Sequence, residues 1–158
     1  MKRSICFFLI AGTIATATTV WVRTAMAEDD AEKMAMHAMD EFLSGFNAKD
    51  PKAWAASLNY PHVRFASGNV TVWENAEDFE KTAVNSFERL QAAGWDHSVW
   101  DSRDAIQVTE NKVHIVVQFS RFTEEDKRFA TFQSLYIVTK KDGASGLAGV
   151  WSKENTRE

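Results

Sequence analysis

Apolar side chains recur at steps of three and four along residues 30–46, at Ala31, Met34, Ala35, Ala38, Met39, Phe42, Leu43 and Phe46. That spacing lays them in one stripe and predicts a first helix, with Asp29 or Asp30 to cap it. Asn47-Ala48-Lys49 is a short link. Asp50-Pro51 then opens a second helix, with Asp as N-cap, Pro at the first helical position and Trp54 and Leu58 on one face. This helix must stop before Tyr60-Pro61, because the residue before a proline avoids helical torsions. Strands over 60–66 and 69–73 flank the turn Ser67-Gly68. A third helix starts at Asn75, where Asn75 and Asp78 resemble a capping box, and ends at Gly94. Its burial positions are Phe79, Ala83, Phe87 and Leu90.

From Trp95 the period changes to two, which predicts strands over 95–108, 112–122, 129–139 and 147–151. The first is interrupted near 101–103, where Asp101, Arg103 and Asp104 form a charged bend. In the second, Val113, Ile115, Val117 and Phe119 oppose His114, Val116, Gln118, Ser120 and Phe122. In the third, Thr131, Gln133, Leu135 and Ile137 oppose Phe132, Ser134, Tyr136 and Val138. Neither face is plainly polar, so the sheet needs two covers. The helices supply one; a second subunit or a ligand supplies the other. The pattern is α+β: three helices in the N-terminal half against a curved, mainly antiparallel sheet. The hairpin over 60–73 joins the two layers, and a pocket is expected there.

Composition changes the picture at the N-terminus. Lys2 and Arg3 precede an uncharged run over 5–22, followed by Ala25-Met26-Ala27 and then Glu28, Asp29 and Asp30. This is the pattern of an export signal cleaved after Ala27. Residues 1–27 are read as signal peptide and 28–158 as one periplasmic or secreted domain. An uncleaved membrane anchor is the alternative, since the run approaches spanning length. After cleavage no stable membrane span is expected. Cleavage removes Lys2, Arg3 and Arg23 but no acid, so the net charge of −4 becomes more negative. That argues against nucleic acid as a partner. The single cysteine, Cys6, leaves with the leader, so no disulfide or thiolate chemistry is expected in the domain.

The order helix, helix, hairpin, helix, then long strands resembles the nuclear transport factor 2-like (SnoaL-like) superfamily. Local marks are Phe46-Asn47-Ala48-Lys49-Asp50 leading to Trp54, and Ser134-Leu135-Tyr136-Ile137-Val138-Thr139 before Asp142-Gly143. The resemblance implies a cone in which a bent sheet wraps helices and leaves a pocket, and a homodimer joined through the sheet. It also implies members with isomerase, cyclase, dehydratase or hydrolase activity. The acids of isomerase-like members are missing. Phe42 stands where they carry a tyrosine, residues 63–67 offer no carboxylate, and a late-strand acid falls near Ser134.

Candidate chemistry follows from types and parity. His62 and Arg64 share a strand face about 7 Å apart, and Tyr60 has the same parity. Histidine can move protons near neutral pH, and arginine can hold a carboxylate. A second group is His97, His114, Gln118, Arg121 and Tyr136. Either the His114/Gln118 face lines the pocket with Val116, Phe122 and Tyr136, or the other face brings Arg121 to its rim beside Phe119 and Gln133. Four scattered histidines give no metal-ligand spacing, and no glycine-rich phosphate loop is present. Neither metal nor cofactor is expected. The leading expectation is a domain binding a small apolar or carboxylated ligand through Tyr60, His62, Arg64, His114, Gln118, Arg121 and Tyr136. The alternatives are a cofactor-independent isomerase, cyclase or dehydratase with His62 as general base, and a structural dimerising protein.

Overall fold

A computed structural model describes the backbone of residues 15–157 and the side chains of residues 27–150. Residues 1–14, about half of the expected leader, lie outside the described residues. The first helix, α1 (Ala15–Asn47), starts well before the expected residue 30. Residues 15–29 hold neither proline nor glycine, so nothing local ends the helix there. Asp29 and Asp30 therefore sit inside the helix, and Asp29 pairs with Lys33 one turn on.

The chain reverses over Ala48–Lys49 into α2 (Pro51–Ala56). Asp50 caps it as expected, accepting from the backbone N–H groups of Lys52 and Ala53 at 2.9 and 3.0 Å. The link also fastens α1 to the sheet. Asn47 donates to the Ser98 carbonyl and accepts from the Ser98 N–H, while Lys49 reaches Asp96 at 3.1 Å. Gly45 lets α1 and α2 touch. A Cβ there would stand 2.7 Å from the Trp54 nitrogen.

The hairpin is β1 (Leu58–Ala66) and β2 (Asn69–Trp73), followed by α3 (Ala76–Ala92). Asn75 caps α3 through the Asp78 N–H at 3.0 Å and donates back to the Asp78 carboxylate. Four long strands complete the chain: β3 (His97–Thr109), β4 (Lys112–Phe122), β5 (Arg128–Lys141) and β6 (Ala144–Arg157). The sheet order is β2-β1-β6-β5-β4-β3, antiparallel except for the parallel pair β1–β6. The irregularity expected in β3 is real, with register shifts at Trp100/Ser102 and Ala105/Gln107.

β6 is far longer than the expected 147–151. It contains Gly146 and Gly149, poor strand residues. It is held on both sides, by β5 and by β1, so its backbone bonds are satisfied whatever the local preference.

One face of the curved sheet packs on the helices. Val113, Ile115, Val117, Tyr136, Val138 and Leu147 come from it, against Ala35, Ala38, Met39 and Phe42 of α1. An aromatic cluster closes the core: Phe46 lies 4.8 Å from Trp54 and 4.7 Å from Trp95, and Trp54 lies 4.8 Å from Phe79. Such pairs each add about 0.5–1.5 kcal/mol beyond their burial. α1 crosses β3 to β6, whereas α3 is held chiefly by α2 and β2. Space is left between α3 and the sheet. No helix among the described residues is long and apolar enough to cross a membrane.

Candidate functional site

The space under α3 is a cavity of about 500 Å³. Phe42, Leu43 and Phe46 of α1 form one wall, Trp54 of α2 another, and Phe79 and Leu90 of α3 the roof. Ser67 in the hairpin turn and Arg89 on α3 are exposed lining residues, and they mark the side that meets solvent. The sheet forms the floor, and its polar side chains carry the site's chemistry.

Strand register fixes those side chains. Arg64 of β1 and Tyr136 of β5 both pair with Val150 of the intervening β6. Directly opposed residues share a face, so the three make one row, with Arg64 and Tyr136 about 10 Å apart at their Cα atoms. His62 lies one side-chain step along β1 on the same face. It is 3 % exposed, and its Nδ1 lies 2.9 Å from the Leu147 carbonyl. A carbonyl only accepts, so Nδ1 carries the proton and Nε2 is left as a bare acceptor. The ring is wedged against Trp73 and Phe79, with centroids at 5.7 and 6.0 Å.

Among the described residues, His62 Nε2, the Tyr136 hydroxyl and the terminal nitrogens of Arg64 belong to cavity-lining residues and have no hydrogen-bond partner, and the lining indoles of Trp54 and Trp100 hold buried, unpartnered Nε1 atoms as well. The Arg64 Nε is buried in the wall and also unpartnered. Arg121 enters from β4 with its guanidinium 4.5 Å over the Phe132 ring. Arg89 donates to the Asn85 carbonyl and the Ser86 hydroxyl. Three arginines thus line the cavity, and no carboxylate does among the described residues.

Burial dominates the titrating groups, and the arginines modify its effect. Burial lowers the His62 pKa to about 4; the bond to Leu147 opposes the shift and the charge of Arg64 adds to it. His62 is neutral at pH 7. Burial raises Tyr136 to about 12, partly offset by Arg64 and Arg121. Both groups feel Arg64, which places its charge beside them.

Of the residues singled out from the sequence, His62, Arg64, Arg121 and Tyr136 meet at the cavity. Tyr60 does not join them, because its hydroxyl donates to the Ala55 carbonyl at 2.9 Å and ties β1 to α2. His114 and Gln118 stand on the opposite face of β4, away from the cavity, because Val113, Ile115, Val117 and Phe119 take the helix side. One of the two expected arrangements set Tyr136 on the His114 face. The observed register sets Tyr136 opposite Ile115 and so on the Phe119/Arg121 side, while Gln133 pairs with Gln118 on the outer face. His97 stacks on Phe122 and pairs with Asp96 and Asp126. Asp101 is tied to Ser120 and Arg128. Arg89 was not singled out; its only sequence signal is a base in the last turn of α3. Among the described residues, no three His, Cys, Asp or Glu converge as metal ligands.

Comparison with known proteins agrees with the architecture. The family model described as NTF2-like protein (DUF6841) matches residues 28–154. No curated protein matches the chain. Among solved structures, an NTF2-like protein with a cystatin-like fold from Novosphingobium aromaticivorans is similar, with TM-score 0.68 at 8% identity, covering 89% of this chain and 90% of that one. The hexachlorocyclohexane dehydrochlorinase LinA-type3 from Novosphingobium barchaimii has TM-score 0.66 at 10% identity, covering 85% of this chain and 93% of its own. A ketosteroid isomerase-like protein from Erwinia carotovora atroseptica has TM-score 0.61 at 14% identity, covering 78% and 95%. At these identities the likeness is one of fold.

Proposed function

The chain belongs to the NTF2-like family DUF6841, and on that premise we propose that it binds a small organic anion, a carboxylate on an apolar or aromatic body, in the cavity beneath α3. The observation that carries this is Arg64, a cation in an aromatic-walled hollow with no acidic partner among the described residues. Its Nε is buried without a partner, and a planar carboxylate matches a guanidinium with two parallel bonds. The aromatic walls take the apolar body.

The test is a thermal-shift and calorimetric panel of benzoate, phenylacetate and naphthoate beside their methyl esters and matching amines. At a hundred times Kd a ligand adds about 2.7 kcal/mol and moves Tm by several degrees. Carboxylates are expected to shift the protein while esters and amines do not, and Arg64→Leu is expected to cut the shift at the same ligand concentration to about half or less. Equal response to esters, or full binding by Arg64→Leu, overturns the proposal.

A second reading makes His62 a general base in an isomerase, cyclase or dehydratase. Its favouring observation is that His62 lines the cavity and its Nε2 has no hydrogen-bond partner among the described residues. With the pKa lowered to about 4, that nitrogen is a weak base at neutral pH, so binding is the stronger reading.

Two companion proposals concern setting. Export is supported by the leader pattern of residues 1–27, and N-terminal sequencing of the protein from its own cell should begin at Glu28. A homodimer through the outer sheet face is supported by exposed Phe65, Val70, Val72 and Val116. Val70 registers with Phe65, Phe65 and Leu135 both register with Trp151, and Val116 registers with Leu135, so a row crosses the sheet. Sedimentation should give twice the chain mass, falling to one with Phe65→Lys.

A further inference from the structure

The floor of the cavity offers two kinds of hydrogen-bonding group side by side, and they ask opposite things of a ligand. Arg64 has only N–H donors and requires an acceptor. His62 presents only a lone pair, because its one ring proton is committed to the Leu147 carbonyl 2.9 Å away and the ring is neutral. The two residues project from the same face of β1, about 7 Å apart at Cα. Burial and the packing of Trp73 and Phe79 hold the imidazole in one orientation. The Tyr136 hydroxyl, across Val150 from Arg64, can donate or accept and so adapts to either neighbour.

A plain aryl carboxylate satisfies Arg64 and Tyr136 but lays carbon, or another lone pair, against His62 Nε2. A desolvated acceptor without a donor weakens binding, and such mismatches are where polar sites gain selectivity. Resting on the carboxylate reading above, we infer that the site is selective for hydroxy acids: the carboxylate lies on Arg64 and a hydroxyl of the same ligand donates to His62 Nε2. His62 then acts as a specificity-determining acceptor, neither proton-transfer group nor cation.

The experiment is calorimetry at neutral pH with matched sets. In one, mandelate is compared with phenylacetate, which lacks the hydroxyl, and with its O-methyl ether, which lacks the donor. In the other, 3-hydroxybenzoate is compared with benzoate and 3-methoxybenzoate. In at least one set the hydroxyl compound is expected to bind roughly 10- to 100-fold tighter than both counterparts. His62→Asn keeps an N–H for Leu147 but has no atom at the Nε2 position, so it should bring that ratio close to one. On wild-type protein, the imidazole ¹⁵N spectrum should show the Nε2 resonance of His62 moving with the hydroxy acid and staying with its ether, which decides the matter even if the variant does not fold. Equal binding within both sets, still dependent on Arg64, overturns the hydroxy-acid inference and leaves the carboxylate reading standing. A selectivity that survives His62→Asn with the Nε2 resonance unmoved also overturns it. No binding by any member of either set overturns both.

Discussion

His62 makes acid sensitivity a sharp consequence of this fold. Its imidazole is buried and its pKa falls from the ordinary 6.5 to about 4, while the unfolded chain keeps the ordinary value. As pH drops below about 6.5, the unfolded chain takes up a proton that the folded protein refuses, so stability falls with pH and levels off below about 4. A gap of roughly 2.5 pH units at about 1.36 kcal/mol each gives a loss of about 3 kcal/mol from this side chain. That is a large share of a typical domain's total of about 5–15 kcal/mol.

The perturbation is His62→Asn. Near pH 7.5 it should cost about 1–3 kcal/mol through lost ring contacts with Trp73 and Phe79. Near pH 4 the penalty should vanish or reverse, because the variant carries no titrating group there. Urea unfolding followed by tryptophan fluorescence at several pH values between about 7.5 and 4 gives both curves. Asp96 is held below the usual carboxylate range by its bond to His97 and by Lys49, but it is present in both proteins and cancels in the difference. Curves that run parallel over the window would refute the reasoning, since His62 would then titrate alike folded and unfolded.

Other consequences are simpler to check. Arg64→Leu should weaken carboxylate binding by about 10- to 100-fold in calorimetry, yet leave urea stability unchanged or raised, because it also removes a buried unpartnered Nε. Gly45→Ala should lower stability by about 1–3 kcal/mol by chemical denaturation, because the new Cβ would meet the α2 backbone at Trp54 and Ala53, which cannot swing aside. Asn75→Ala should cost about 1 kcal/mol, measured the same way, by stripping the cap from α3.

Much of the architecture was legible along the chain because it is written in local terms. The three-and-four spacing of Phe79, Ala83 and Phe87 needs a helix to bury it, and Asp50-Pro51 and Asn75 state where helices begin. Period two from Trp95 onward gave the long strands, and the order of elements gave the family resemblance. His62 and Arg64 were found together because side-chain alternation within one strand is fixed by backbone geometry. What failed were relations between strands. Parity within β4 and within β5 says nothing of how they register, so Tyr136 was set beside His114 when pairing with Ile115 places it on the other face. Tyr60 has the right parity, but the neighbouring α2 carbonyl claimed its hydroxyl. β6 extends through glycines because strands flank it on both sides, a fact absent from its own residues.

The sequence alone determined the order of helices and strands and which side chains share a face within each, since propensity, capping and periodicity act over a few neighbouring residues. Only the tertiary structure decided which face bends around the helices, how far α3 stands off the sheet, and which polar atoms are left facing the hollow between them. Those depend on register and packing between segments up to some 85 positions apart, like the His62–Leu147 bond that fixes the tautomer at the site. No local pattern encodes that choice.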